Sequence, residues 1–181
     1  MKKQNYIFIG GTIFISIMIG ALVFLGGEKL QIMPYDFVRD YKQMQTLFER
    51  EWHWLIPVSR ENYSLDLILK YQAPKQNPLY AGRLKIKVMK KGNNLVGFVA
   101  YYMKSADEAF LNFLAINPEY RGKGYGYKLA REAMDDMIER GARRITMVTY
   151  PHNIPALTLY KKLGFIEIGR GRQVELEYKV R

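Results

Sequence analysis

Hydrophobic and polar positions divide the chain into blocks of different period. From Tyr6 to Gly27 there is no charged residue, and Ile, Phe, Leu, Val and Met predominate. A helix of about 20 such residues rises about 30 Å, enough to cross the hydrocarbon core of a bilayer. A cleavable signal peptide is the competing reading, but the run exceeds the roughly 7–15 residues of a signal core and no A-x-A site follows it. The pattern predicts a transmembrane anchor over residues 1–28 and a domain over residues 29–181.

Within the domain the period switches repeatedly. Lys29 to Asp36 reads as a short strand stopped by Pro34, with Asp36 placed to cap the helix that follows. Phe37, Tyr41, Met44, Leu47 and Phe48 recur at helical spacing and predict one buried face, failing near Pro57. Leu65, Leu67, Ile68 and Leu69 predict a shorter helix over Ser64 to Tyr71. Arg83–Lys90 and Leu95–Lys104 are strand-like and joined by Lys91-Gly92-Asn93-Asn94, a hairpin signature. Ala109–Ile116 is a further strand. From Gly126, residues Leu129, Ala130, Ala133, Met134, Met137 and Ile138 mark an amphipathic helix closed by Gly141. A strand over Arg144–Tyr150, a helix over Pro155–Leu163 and a hairpin of Phe165–Gly169 with Gln173–Val180 complete the order β-α-α-β-β-β-α-β-α-β-β. That order belongs to a single mixed domain, α/β (α+β) in class, with a central sheet of about seven strands and about four helices.

Composition removes several chemistries. The chain has 181 residues and no cysteine, which excludes disulfides, thiolate catalysis and thiolate metal sites. With only His53 and His152, a histidine-rich metal site is not expected either. The net charge of +11 suits nucleic acid, an anionic membrane face or an anionic cofactor. No nucleic-acid module stands in the pattern, so that class of partner is not expected, and a solvated basic surface beside a membrane accounts for much of the charge. Ser16 and Gly20 form a small-xxx-small pair suited to helix–helix packing, the basis for a homodimer.

Candidate chemistry concentrates between Phe110 and Phe165. There Arg121-Gly122-Lys123-Gly124-Tyr125-Gly126 follows a strand and opens a helix. Such a loop leaves backbone N–H groups free at a helix N-terminus, which is a pyrophosphate site built mostly from backbone. By itself the loop is weak evidence, because basic glycine-containing turns are common. Further on, Asn153, Ala156, Tyr160, Gly164 and Phe165 lie on and just after a short helix.

Together the two motifs and the element order resemble the GNAT superfamily of acyl-CoA-dependent N-acetyltransferases, over roughly residues 30 to 180. Arg121, Gly124 and Gly126 match its Arg/Gln-x-x-Gly-x-Gly/Ala signature, and Asn153, Ala156, Tyr160, Gly164 and Phe165 match Asn-x-x-Ala-x-x-x-Tyr-x-x-x-Gly-Phe without a gap. Ile32-Met33-Pro34-Tyr35-Asp36 is similar to its first strand and exit. The resemblance implies acetyl-CoA as acyl donor, with no metal. It implies that Arg121, Gly122, Lys123, Gly124, Tyr125 and Gly126 hold the pyrophosphate, with Lys128 a further cation. It also implies that backbone groups of Leu114, Ala115 and Ile116 pair with the pantetheine arm, in a slot opened by a strand bulge, and that Asn153 fixes the arm.

In the family Tyr160 would act as general acid toward the departing thiolate; packing is the alternative, since Ala156, Leu159, Tyr160 and Leu163 also form a core-like stripe. The positions where some members carry a glutamate base are Phe110 and Val148 here. Glu51, Glu108, Asn112 and His152 are the remaining polar groups near the expected slot. The expected reaction is direct attack of a primary amine, on a small molecule or a protein, upon acetyl-CoA. An acyl-CoA-binding sensor or scaffold at the membrane is the alternative, and a longer acyl donor a third reading. The acceptor itself is not identified. Its site is expected around Glu51-Trp52-His53-Trp54-Leu55-Ile56-Pro57, Tyr101 and Tyr102, as an aromatic pocket or as ordinary core packing. With Lys2 and Lys3 set aside from the 28 basic residues, 26 face 17 acidic ones, a net +9 that disfavours a polycationic acceptor. Lys2 and Lys3 at one end of the anchor nearly balance Lys29, Arg39 and Lys42 at the other, so the charge rule does not choose an orientation. Acetyl-CoA is cytoplasmic, which places the domain there and the N-terminus outside.

Overall fold

The computed structural model describes residues 28–55 and 84–180. The anchor over 1–28, apart from Glu28, and the helix over 64–71 lie outside the described residues; among those described, no helix is long and apolar enough to cross a membrane. The elements are β1 (Leu30–Pro34), α1 (Phe37–Leu55), β2 (Lys85–Lys91), β3 (Asn94–Met103) and β4 (Glu108–Ile116). A 3₁₀ turn (Pro118–Tyr120), α2 (Tyr125–Glu139), β5 (Arg144–Thr149), α3 (Ile154–Lys162), β6 (Ile166–Arg170) and β7 (Val174–Lys179) follow. The strands form one seven-stranded sheet in the order β1-β2-β3-β4-β5-β7-β6. Every neighbouring pair is antiparallel except β4 and β5, which α2 joins by a crossover.

Each face of the sheet carries its own core. Leu129, Ala130, Ala133, Met134 and Met137 of α2 pack on one face with Tyr160 and Leu163 from α3 and its end. Met44, Leu47, Phe48 and Leu55 of α1 pack on the other against Phe98, Phe113 and Ala115. This is a three-layer sandwich, and the amphipathic stripes legible in the sequence are the surfaces that close it. Phe37, expected in the buried face of α1, is 44% exposed. It stands in the first turn, beside the polar cap.

Asp36 caps α1 as expected, its Oδ1 accepting from Arg39 N at 2.8 Å. Four residues on, Asp40 is buried and accepts from Arg39 Nε (2.9 Å), from the backbone N–H of Asp36 (3.1 Å) and from the buried Lys90 Nζ (3.0 Å). Burial raises its pKa, but the bonds from Arg39, Asp36 and Lys90 outweigh that and hold it at about 2. Gln43 ties the next turn of α1 to the β2–β3 hairpin, donating to Asn93 O at 3.0 Å and accepting from Leu95 N at 2.8 Å.

Two irregularities reshape the middle of the sheet. Met89 faces Gly97 while Lys90 faces Leu95, leaving Val96 as an extra residue on β3. Ala100 faces Phe113 while the next residue, Tyr101, faces Leu111, so Asn112 is an extra residue on β4. The second bulge inverts the side-chain alternation. Ala109 and Leu111 belong to the α2 face before it, whereas Leu114 and Ile116 pack there after it and Phe113 and Ala115 turn to α1.

The Asp40–Lys90 contact is a buried ion pair whose members need one another. Replacing Asp40 by Asn should cost about 3 kcal/mol in urea unfolding, because Lys90 is left buried without its counter-charge, and D40N/K90M should regain most of it. Because the folded-state pKa of Asp40 lies below its usual 3.8, its contribution is complete above pH 4 and falls away as pH drops toward 2. The D40N protein should lose that part of the acid transition.

Candidate active site

β4 and β5 pair only at Glu108–Arg144, Ala109–Ile145 and Phe110–Thr146. From Leu111 through the bulge to Ile116, β4 has no partner on β5, and the strands diverge into a V. Its closed end is clamped by Arg144, which reaches Glu108 at 2.7 Å and Glu177 at 2.5 Å, so β4, β5 and β7 share one guanidinium. The open end leaves Leu114, Ala115 and Ile116 without a β5 partner, an edge that an extended ligand can join as an added strand would, with Ile116 O held by Arg121 Nε.

A cavity of about 460 Å³ fills that opening, lined by Leu114, Ala115 and Ile116 on one side and by Asn153, Ala156, Leu159 and Tyr160 of the α3 region on the other. Its far end is the glycine loop. Gly122 and Gly124 both sit at φ +75°, and a Cβ built on either would meet nothing within 4 Å, so the space over the loop is open. Gly124 is the residue before α2, and the first turn of α2 contains no acidic side chain. The N–H groups of that turn have no intrahelical partner and present partial positive charge to the slot. A pyrophosphate fits this cradle on both geometry and charge.

The charged side chains of the loop are placed differently from expectation. Arg121 donates from Nε to Ile116 O at 3.0 Å and from Nη2 to the buried Glu51 at 2.5 Å. Arg50 beside it reaches Asn117 at 2.5 Å and Glu119 at 3.7 Å, so two consecutive α1 residues clasp the segment that carries the loop. Lys123 does not line the cavity. Its Nζ donates to Glu119 O at 3.3 Å and lies over the Tyr120 ring, because the side chain folds back on the 3₁₀ turn. Lys128 is exposed and also outside the cavity, whereas Lys162, which no motif marks, lines it.

Tyr160 is 3% exposed and lines the slot at its inner side. Burial raises its pKa well above the usual phenol value, so the hydroxyl keeps its proton across the working range. The residues after it explain why tyrosine, glycine and phenylalanine occur at this spacing. Gly164 N donates to Lys161 O and Phe165 N to Tyr160 O, both at 3.0 Å, with Gly164 at φ +95°. That is a Schellman cap, which requires a residue with no Cβ penalty at positive φ. The Phe165 ring packs edge-on against Tyr160 with centroids 5.5 Å apart, so cap and catalytic candidate are one unit. At the other end of α3, Asn153 Oδ1 accepts from Ala156 N at 3.3 Å. Its side-chain oxygen is thus a helix cap, and the residue also lines the slot.

A second cavity, of about 70 Å³, lies against Trp54, Leu55, Phe110, Asn112, Phe113, Val148, Thr149, Tyr150 and Gln173. Phe110 and Val148, the positions where a carboxylate base was sought, are therefore apolar walls of a real cavity. Trp54 and Leu55 line both cavities and form the partition. His152 is exposed at the rim, its ring 5.4 Å from Trp54 and 5.2 Å from Tyr150. Tyr101 and Tyr102, expected near an acceptor, are buried in the two cores and line neither cavity, as strand residues on the faces covered by α2 and α1. Glu108 sits in the closed-end clamp, away from the slot. Gln173, in the β6–β7 turn, was not singled out from sequence; it belongs to no motif, and only the closing hairpin brings it here.

The geometry has counterparts among known proteins. N-alpha-acetyltransferase 30 of Schizosaccharomyces pombe is 39% identical over 61 residues, which are 34% of this chain and 41% of that protein. The chain spans half or less of the length of the first curated relatives it matches. The PaiA N-acetyltransferase of Thermoplasma acidophilum, solved in complex with coenzyme A, superposes with a TM-score of 0.69 at 23% identity, over 84% of this chain and 99% of that one. A GNAT family acetyltransferase from Elizabethkingia anophelis with acetyl-CoA bound gives a TM-score of 0.59 at 15% identity, over 83% and 98%. The model of the Acetyltransferase (GNAT) family matches residues 41–165, more than half of the sequence and the span from within α1 to the Tyr160 cap, and the chain belongs to that family.

Proposed function

We propose that the protein transfers an acetyl group from acetyl-CoA to a primary amine by direct attack, with Tyr160 as the general acid. The observation that carries this reading is one continuous slot, joining the glycine cradle to the buried Tyr160 along the unpaired edge of β4. Backbone N–H groups from Gly122 to Gly126 hold the pyrophosphate, and Leu114 to Ile116 pair with the pantetheine. Acetyl-CoA supplies a thioester, which an amine attacks once it is neutral. As the C–N bond forms and the C–S bond breaks, Tyr160, fixed by its cap and protonated by burial, gives its proton to the leaving sulfur, and the proton shed by the nitrogen restores the phenol.

Among the described residues, no carboxylate lines the second cavity. An ammonium passing the Trp54 and Leu55 wall toward the slot loses hydration there, which favours the neutral amine and lessens the need for a dedicated base. The sensor reading draws on that same missing base. Release of free CoA on adding amines supports the enzyme, and binding without release supports the sensor.

Tyr160→Phe should lower kcat about 100-fold while leaving the KM for acetyl-CoA nearly unchanged, since the phenyl ring keeps the packing against Phe165. Steady-state assays at saturating amine read this directly, and unchanged turnover would remove the role. Gly122→Val and Gly124→Val should each weaken CoA binding about tenfold or more in calorimetry, because the added side chain enters the cradle rather than the core. Residues 6–27 are proposed to anchor the chain with its domain in the cytoplasm. On cell fractionation the full chain should then sediment with membranes and a form starting at Lys29 should not.

A further inference from the structure

Arg121 opens the glycine loop and lines the slot, as a phosphate-binding cation would, yet its guanidinium is already committed. Nη2 lies 2.5 Å from Glu51 of α1, a carboxylate that is itself buried. Nε donates to Ile116 O at 3.0 Å. The next residue of β4's exit, Asn117, donates its N–H to Val96 O of β3 at 2.9 Å. Backbone groups along a strand point by turns to one neighbour and to the other. Leu114 and Ile116 therefore turn their N–H and C=O groups to the edge that β5 leaves bare, and Ala115 turns its own to β3. Arg121 thus closes one of the two carbonyls that this edge presents. On the β3 side the same stretch has no room to retreat, since a Cβ on Gly97 would stand 2.4 Å from Ala115 O and 3.2 Å from Ile116 Cα.

We infer that Arg121 is a positioning residue and not a phosphate ligand: pinned by Glu51, it fixes the end of the β4 edge on which the pantetheine arm lies. This rests on the reading of the slot as the acetyl-CoA site with the arm paired along β4. Electrostatics favours the assignment. If Arg121 turned onto a pyrophosphate, Glu51 would keep only Arg50 Nε at 3.8 Å, a buried carboxylate left beside a new negative charge. The phosphates have another source of positive charge in the N–H groups at the start of α2. Geometry favours the assignment too. A planar guanidinium serves a carbonyl and a carboxylate at once through separate nitrogens, a shape that a lysine ammonium does not reproduce. The arm then meets an edge with Leu114 O open and Ile116 O closed. Its strand-like pairing has a defined end, which gives the thioester one register along the slot that Tyr160 lines.

The test is calorimetric binding to the full chain in detergent of CoA and of adenosine 3′,5′-bisphosphate, which carries the phosphate end of CoA without the arm. Glu51→Gln should weaken CoA binding about tenfold, because the edge loses its brace. A phosphate ligand held back by Glu51 would instead bind CoA more tightly in that variant. Arg121→Met should weaken CoA to the same extent, Arg121→Lys should not restore it, and E51Q/R121M should be no weaker than R121M alone. Each variant should bind adenosine 3′,5′-bisphosphate within about twofold of the unaltered protein. Tighter CoA binding by E51Q, rescue by lysine, or equal losses for the two ligands overturns the inference. If the variants misfold, a crystal structure of the unaltered protein with CoA decides. Arg121 should stay on Glu51 and Ile116 O, and a guanidinium turned onto the pyrophosphate overturns the assignment. An unaltered protein that binds no CoA removes the donor reading and this inference together, whereas CoA binding with any of the overturning results removes only the role of Arg121.

Discussion

The constraint on which the rest depends is the separation of β4 from β5. A central pair of strands that stops bonding partway exposes backbone groups in the middle of a sheet, where most folds would satisfy them. The bulge at Asn112 breaks the register on the β3 side and turns the strand, while Arg144 holds the other end closed through Glu108 and Glu177. The clamp lies at the paired end of β4 and β5, and the bulge lies two residues past their last pair. Both cavities are consequences of this one opening, the larger toward α2 and α3 and the smaller toward α1.

The elements around the V hold it at a fixed width. α1 is locked to the hairpin by Asp40–Lys90 and by Gln43, and to the glycine loop by Arg50 and Glu51. Its last turn therefore delivers Trp54 and Leu55 to the partition from a rigid support. α3 is held by caps at both ends, Asn153 before it and Gly164 after it, which is a large share of control for a nine-residue helix. A helix that short is marginal alone, so its placement comes from these caps and from Tyr160 and Leu163 packing into the core. Arg121 occupies a position between two uses. It bonds Glu51 here, yet it lines the slot where phosphate charge would compete for it.

Much of this was legible in the chain because it is local. The strand and helix order, the Asp36 cap and the glycine cradle each follow from a few adjacent residues, and so does the Tyr160–Phe165 unit. The bulge was not legible, because it is a property of register between two strands; nothing about Asn112 in isolation distinguishes it from a residue of the regular alternation Ala109–Ile116. Side-chain direction failed for the same reason at Lys123, which the motif assigns to phosphate and the 3₁₀ turn retains. Tyr101 and Tyr102 look like binding aromatics in a list and are core residues in a sheet. Asn153 was read as a cofactor contact, and the structure adds the cap that explains why asparagine stands there.

The two cavities differ in what they are made from, and that difference has a consequence for specificity. The donor slot is built largely of backbone, a glycine loop and a strand edge, with one buried tyrosine; substitutions elsewhere leave such a surface unchanged, so its ligand is set by the fold. The second cavity is built of side chains drawn from α1, β4, β5 and the β6–β7 turn, Asn112 of the bulge among them. Phe110 and Val148 are apolar walls of that cavity. The first cavity is fixed by backbone that most substitutions leave alone, whereas the second changes with the side chains that line it.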